Sequence, residues 1–125
     1  SASVIVENAR VEGKVIRSGY YSGPVYMFFD ASGRALLPGA VTHNHLVLTT
    51  DLLKMKAAEE VQKGDRLICG SNEIVTVETV EVTHYEGYVY NLSNNYTPFS
   101  FDKNFVITCG IQEIAGDRID KIYTR

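Results

Sequence analysis

The chain is short of the features that would let a protein grip phosphate, cross a bilayer or staple itself together. Lys and Arg total 12 against 15 Asp and Glu in 125 residues, with no basic tract, so the positive face that phosphate backbones require is missing. Nucleic acid is not an expected partner. The apolar runs are short and have charges close by; none approaches the roughly 20 residues of a membrane helix, and the amino end does not read as a signal peptide. A membrane is not expected either, and the chain reads as soluble. Two cysteines, Cys69 and Cys109, are too few for a disulfide framework and do not decide between a reducing and an oxidising compartment. Localisation stays open. C-x-x-C, H-E-x-x-H and calcium-loop spacings are all missing, so neither a metal nor any other cofactor is expected.

What is present is β-forming. Eight Tyr and five Phe, with many Val, Ile and Thr punctuated by Gly, predict an all-β chain. The length fits one domain over residues 1–125, with 111–125 as a charged end that is either a further strand or a flanking extension. In "KVIRSGYYSGPVYMFFDASGRALL" two extended segments flank a turn at Asp30-Ala31-Ser32-Gly33. In "EIVTVETVEVTHYEGYVYNL" the apolar alternation Val75, Val77, Val80, Val82 breaks between Thr79 and Val80, predicting a bulge or bend in a long β-ribbon. "FVITCGIQEI" reads as a last apolar strand. No internal repeat is apparent. One segment, "TDLLKMKAAEEVQKGD", puts Leu53, Ala57, Glu60 and Val61 at helical spacing among helix-favouring Ala, Glu and Lys.

The stretch "GAVTHNHLVLTTD" sets His43 and His45 around Asn44 on an otherwise plain strand. On a regular strand the two histidines would share a face, but a metal site needs a third or fourth ligand to converge, and only His84 remains. The letters HNH suggest a nuclease; that motif, however, gathers residues that lie far apart in sequence. The third reading joins Thr42-x-x-His45 to the segments downstream of it. These are "LVLTTD", then "AAEEVQKGDRLI", with Ala58, Val61, Gly64, Asp65 and Leu67 in an A-x-x-L-x-x-GD-x-L pattern, and then "GYVYNLS".

In that order, and with "RSGYYSGPVYMFFDASGRALLPGAVTHNHLVLT" upstream, the motifs cover roughly Arg17 to Cys109 and resemble the Hint superfamily, the autoprocessing domains of inteins, bacterial intein-like proteins and hedgehog proteins. The resemblance implies a horseshoe of long bent antiparallel strands with little or no helix, and it replaces the helix at "AAEEVQKGD" with a turn leading into a strand. It implies self-catalysed cleavage of a peptide bond at the amino end through an N-S acyl shift to a thioester. This is a single-turnover event on a flanking polypeptide in cis, in a monomer. The residue types suit that chemistry, since an amide is stabilised by resonance and breaking it in place takes a nucleophile and a proton for the departing nitrogen. Histidine supplies a proton at neutral pH. The resemblance gives that role to His45, and Thr42 grips the same carbonyl.

The ends depart from the family. The family begins with Cys or Ser, and Ala2 stands where that nucleophile is expected, so the chain as written is expected to be inactive there. Inteins finish in His-Asn; the corresponding region here is "FVITCG", with Thr108 and Cys109. "ITC" resembles the hedgehog ending instead, which implies cleavage without splicing and puts Cys109 at the site. Asn91 stands where many inteins carry an Asp that tunes the nucleophile. A Hint-fold module that has lost its chemistry and serves as a structural or interaction insert is the alternative reading.

Overall fold

The computed structural model describes residues 2–6, 9–93, 98–109 and 113–115. Among them there is no α-helix. The strands are β1 (Ala2–Val6), β2 (Ala9–Phe29), β3 (Val41–Thr42), β4 (Leu46–Leu48), β5 (Met55–Ala57), β6 (Arg66–Ile68), β7 (Ile74–Thr76), β8 (Thr79–Ser93), β9 (Thr108–Cys109) and β10 (Glu113–Ala115). A single 3-10 turn, Ala58–Glu60, interrupts them.

The organising element is a ribbon. β2 runs 21 residues and pairs antiparallel with the 15 of β8, from Lys14↔Ser93 to Phe29↔Thr79. Two strands close it on itself: β3 pairs with the far part of β2 (Tyr26↔Val41), β10 with the near part of β8 (Ile114↔Tyr90), and the two meet at Ile114↔Val41. The result is an antiparallel circuit of strands, β2–β3–β10–β8 and back to β2. Although no repeat is apparent along the chain, the pairing brings one out. "YSGPVY" at 21–26 and "YEGYVY" at 85–90 are two copies of Y-x-G-x-V-Y, and they cross antiparallel about Ser22↔Glu86, pairing Tyr21 with Gly87 and Gly23 with Tyr85. In each copy the Tyr ring lies across the Gly two residues on. The hydroxyl of Tyr21 donates to Pro24 O (2.7 Å) and that of Tyr85 to Tyr88 O (2.6 Å). A side chain at either glycine would occupy the ring's place, since a Cβ at Gly23 would sit 3.0 Å from the Tyr21 hydroxyl oxygen.

The ribbon's irregularity lies elsewhere than expected. The register shifts on β2, between Arg17 and Gly19, whereas the broken alternation ahead of Val80 reflects the junction at Val77–Glu78 between β7 and β8. Between β7 and β8 the chain turns away, with Val77 N–H donating to Asp65 O and Glu78 N–H to Phe29 O (both 2.8 Å). The expected turn after Phe29 forms: Asp30 Oδ1 accepts from Ser32 N–H (3.0 Å), the Ser32 hydroxyl (2.7 Å) and Arg34 N–H (3.0 Å), and Gly33 takes φ +83°. Its second arm is a single bridge, Phe29↔Ala35, after which Leu36 and Leu37 enter the core.

That core joins Phe28, Leu36, Leu37 and Val41 to Val47, Ala58, Leu67, Val75, Val77, Phe99, Phe101 and Val106. The segment 98–101, which carries no clear strand pattern in the sequence, is central to it. Phe99 and Phe101 point inward and meet edge to face at 5.2 Å. Their backbone forms two ladders at once, Ile5↔Ser100 on one side and Phe99↔Thr108 on the other. Cys69 is fully buried, and burial pushes its thiol up to about 11, so it is a core residue rather than a nucleophile.

Asp30 and Asp65 both have carboxyl groups held below the ordinary carboxylate range. At Asp65 partial burial works the other way, but the Lys56 ammonium (2.8 Å) and the Gln62 amide (2.9 Å) outweigh it. At Asp30 the Ser32 hydroxyl and then the Arg34 amide set the direction. Because the folded state takes up these protons at lower pH than the unfolded chain, their stabilisation is complete above the ordinary range near 3.8 and is lost as pH falls through the depressed values. Urea midpoints measured from pH 7 to pH 2 should therefore fall below about pH 4. The fall should be shallower in Asp65→Asn, which has no carboxyl to titrate; an identical acid limb would show that Asp65 does not contribute.

Candidate active site

The T-x-x-H stretch is a strand broken by a turn. Val41 and Thr42 end β3, His43 and Asn44 turn, and His45 N–H donates back to Thr42 O (3.2 Å) before β4 starts at Leu46. That break separates the two histidines. His45 is fully buried, whereas His43 lies partly exposed, its ring stacked on Tyr21 (6.2 Å between centroids, 27°) and its Nδ1 3.4 Å from Glu59 Oε2. His84 is on the ribbon opposite Pro24, exposed beside Glu86 at 3.6 Å. The three imidazoles thus occupy three separate surroundings, and no group of three His, Cys, Asp or Glu among the described residues could hold a metal ion.

The second motif holds the first. In the 3-10 turn, Ala58 N–H donates to His45 O (2.8 Å) and Glu59 N–H to His43 O (3.1 Å). Ala58 has no exposed surface, so a larger side chain there would push against the histidine loop. Gly64 takes φ +95°, a conformation L side chains rarely adopt. Asp65 then folds its carboxylate back onto Gln62 N–H, and Leu67 is fully buried. Val61 is buried as well, so each position of the Ala58-to-Leu67 pattern has a physical role, and the amides of Ala58 and Glu59 tie the backbone at His45 and His43.

Thr42 is fully buried too, and its hydroxyl donates to Asn44 Oδ1 (2.7 Å). The hydroxyl hydrogen is thus directed at Asn44; gripping a substrate carbonyl, as the resemblance implies, would require it to rotate. Asn44 stands out in the sequence only as the residue between two histidines. Its turn-forming character and its spacing two residues from Thr42 are the signals that point to it.

Backbone register places the other candidates. Leu46 pairs with Cys109 and Val47 with Thr108, so Cys109 neighbours the residue that follows His45. Its strand is central: Val106 and Thr108 are fully buried, and Ile107 N–H donates to Ile68 O (2.9 Å). Asn91 pairs with Ile16 and with Glu113 of β10, and β10 in turn pairs with β3. One strand therefore separates Asn91 from Thr42. Glu113–Ala115, inside the stretch set apart as an extension, belongs to the sheet; 116–125 lies outside the described residues.

Ala2 falls elsewhere. It pairs with Gly13, three residues along β2 from the partner of Asn91. β1 does not run beside β9, because the Phe99–Ser100 segment lies between them. Following Ile5↔Ser100 and Phe99↔Thr108, the level of Thr108 is that of Val6, four residues from Ala2. At 3.3 Å per residue this is about 13 Å along the strand. Backbone register therefore sets Cys109 opposite the residue that follows His45, Asn91 one strand from Thr42, and Ala2 apart from them.

The fold is intein-like. The crystal structure of Ssp DnaB mini-intein variant M86 aligns over 88% of this chain and 75% of that chain, with a TM-score of 0.60 and 19% sequence identity. At that identity the likeness is one of fold. No family model matches the chain, and no curated protein does.

Proposed function

We propose that this chain is a Hint-type self-processing domain that breaks a peptide bond at its amino end, with His45 as the proton donor. The observation that carries this reading is the setting of His45: fully buried, fixed through its backbone by Thr42 and Ala58, and directly before Leu46, the residue paired with Cys109. A histidine shielded from solvent on a backbone held at both its N–H and its C=O is suited to protonating a departing amide nitrogen. The likeness to a mini-intein fold supports the same chemistry. In the proposed reaction a thiol at position 2 attacks the carbonyl of residue 1. The carbon–sulfur bond forms, the carbon–nitrogen bond breaks, and the nitrogen receives a proton, leaving a thioester open to water, an added thiol or an amine. Thr42 and Asn91 act around that carbonyl once the amino end, set about 13 Å along its strand from the level of Thr108, is brought to them, and Cys109 pairs with the residue after the donor. Splicing is not proposed: neither Thr108 nor Cys109 can cyclise as Asn does, and Asn104 is followed by Phe105, which has no nucleophile.

Position 2 carries Ala, and its register lies away from Cys109. Both facts favour the second reading, a Hint-fold module without chemistry. One experiment divides them. An upstream protein fused to the chain with Ala2→Cys should, on addition of dithiothreitol, release an amino-terminal fragment and a domain that still ends in Thr124-Arg125, as read by intact mass. The Ala2 fusion should stay whole. If the cysteine fusion also stays whole, the non-catalytic module is the correct reading; a ligated product lacking the domain would mean that splicing occurs.

A further inference from the structure

The hairpin between β4 and β5 ends in a feature that folding alone does not favour. The turn Asp51–Lys54 is closed by Lys54 N–H donating to Asp51 O (3.0 Å), and its central residues, Leu52 and Leu53, take φ +52° and +53°. Two successive left-handed residues suit Asn-Gly and disfavour any side chain with bulk near the backbone. Elsewhere among the described residues the chain meets that demand with suitable residues: Gly33, Gly64 and Asn72 all have positive φ. Here it places two leucines instead and exposes 77% and 69% of their surface. Backbone strain and apolar exposure coincide at one protruding tip, which the segment's apparent helical spacing conceals.

We propose that Leu52 and Leu53 dip into the interfacial region of an uncharged lipid bilayer. Two observations select that occupant. The tip is convex and consists of two side chains, far short of the roughly 800 Å² that each partner contributes to a stable protein interface. A bilayer requires no complementary cavity and accepts two leucines as they are. The collar carries no net charge: Asp51, Glu60 and Asp65 offset Lys54, Lys56 and Arg66 around a cavity of about 280 Å³ at the hairpin's base. Attraction to anionic headgroups is therefore not the driving force. No helix among the described residues is long and apolar enough to cross a membrane, and contact of this kind needs none. The proposal does not depend on the chain cleaving anything.

The test is co-sedimentation of the full chain with phosphatidylcholine vesicles. Weak, salt-independent binding is expected, and Leu52→Ser with Leu53→Ser should weaken it at least about tenfold per leucine. A second variant, Leu52→Asn with Leu53→Gly, supplies the residues the turn prefers; it should raise Tm while also losing vesicle binding, which separates docking from folding. Three results would overturn the proposal: no binding at millimolar lipid, binding unaffected by both variants, or binding that appears only with phosphatidylserine and vanishes in salt. So would dimers in sedimentation velocity that either variant disperses, since the occupant would then be a second copy of the chain.

Discussion

In a fusion carrying Ala2→Cys, His45→Ala should slow thiol-induced cleavage by at least about 10²-fold, the scale of losing a general acid, while His43→Ala leaves the rate within a few-fold. The two residues look equivalent in the sequence and are not so in the fold. His45 is buried behind the 3-10 turn; His43 packs on Tyr21 at the surface and pairs with Glu59. Alanine at 43 keeps the backbone carbonyl that accepts Glu59 N–H, so the loop retains its tether. Gel densitometry against time gives both rates. Equal losses from the two substitutions would remove His45 from the role proposed for it. His45→Gln provides the control for shape: it can still hydrogen-bond but cannot carry a proton at neutral pH, and it should be nearly as slow as alanine.

The backbone geometry of the candidate site is legible in the sequence where its logic is local. Thr42-x-x-His45 and the Ala58-to-Leu67 pattern are each set by turns within a few residues, and the fold they belong to persists at 19% identity to a solved mini-intein. The all-β class follows from composition for a similar reason, since Val, Ile, Thr and aromatics suit a pleated surface wherever they pair. The features that mislead are long-range or ambiguous. Leu53, Ala57, Glu60 and Val61 fit a helical spacing, but a hairpin followed by a 3-10 turn produces the same intervals. The pause between Val77 and Val80, which predicts a bulge or a bend, is where the chain turns from one strand into the next, because the pattern alone does not say whether a chain bends within a ribbon or leaves the sheet. The position of Ala2 depends on "PFSF" inserting between β1 and β9, a pairing of residues more than ninety apart in sequence. Nothing near either segment announces it.

That inserted segment carries the largest expected effect on stability. Phe99→Ala should cost about 3–5 kcal/mol, enough to remove much of the stability of a domain this size. Phe99 is 1% exposed and meets Phe101 edge to face at 5.2 Å, so truncation loses the buried ring area, the aromatic contact and the packing around the vacated space. The position also holds the sheet together, since the backbone at Phe99 exchanges hydrogen bonds of 2.8 and 2.7 Å with Thr108 and that at Ser100 exchanges 2.9 and 2.8 Å with Ile5. Those bonds survive in Phe99→Ala, but the side chain that presses this strand into the core does not. Urea unfolding should show a lower midpoint with an unchanged slope, the signature of lost stability without a change in the surface exposed. Phe99→Leu, which keeps most of the volume, should cost less than half as much. A Phe99→Ala penalty below about 1 kcal/mol would mean that β1 and β9 are held by their ladders alone, and that the core between them is looser than the burial of Phe99 implies.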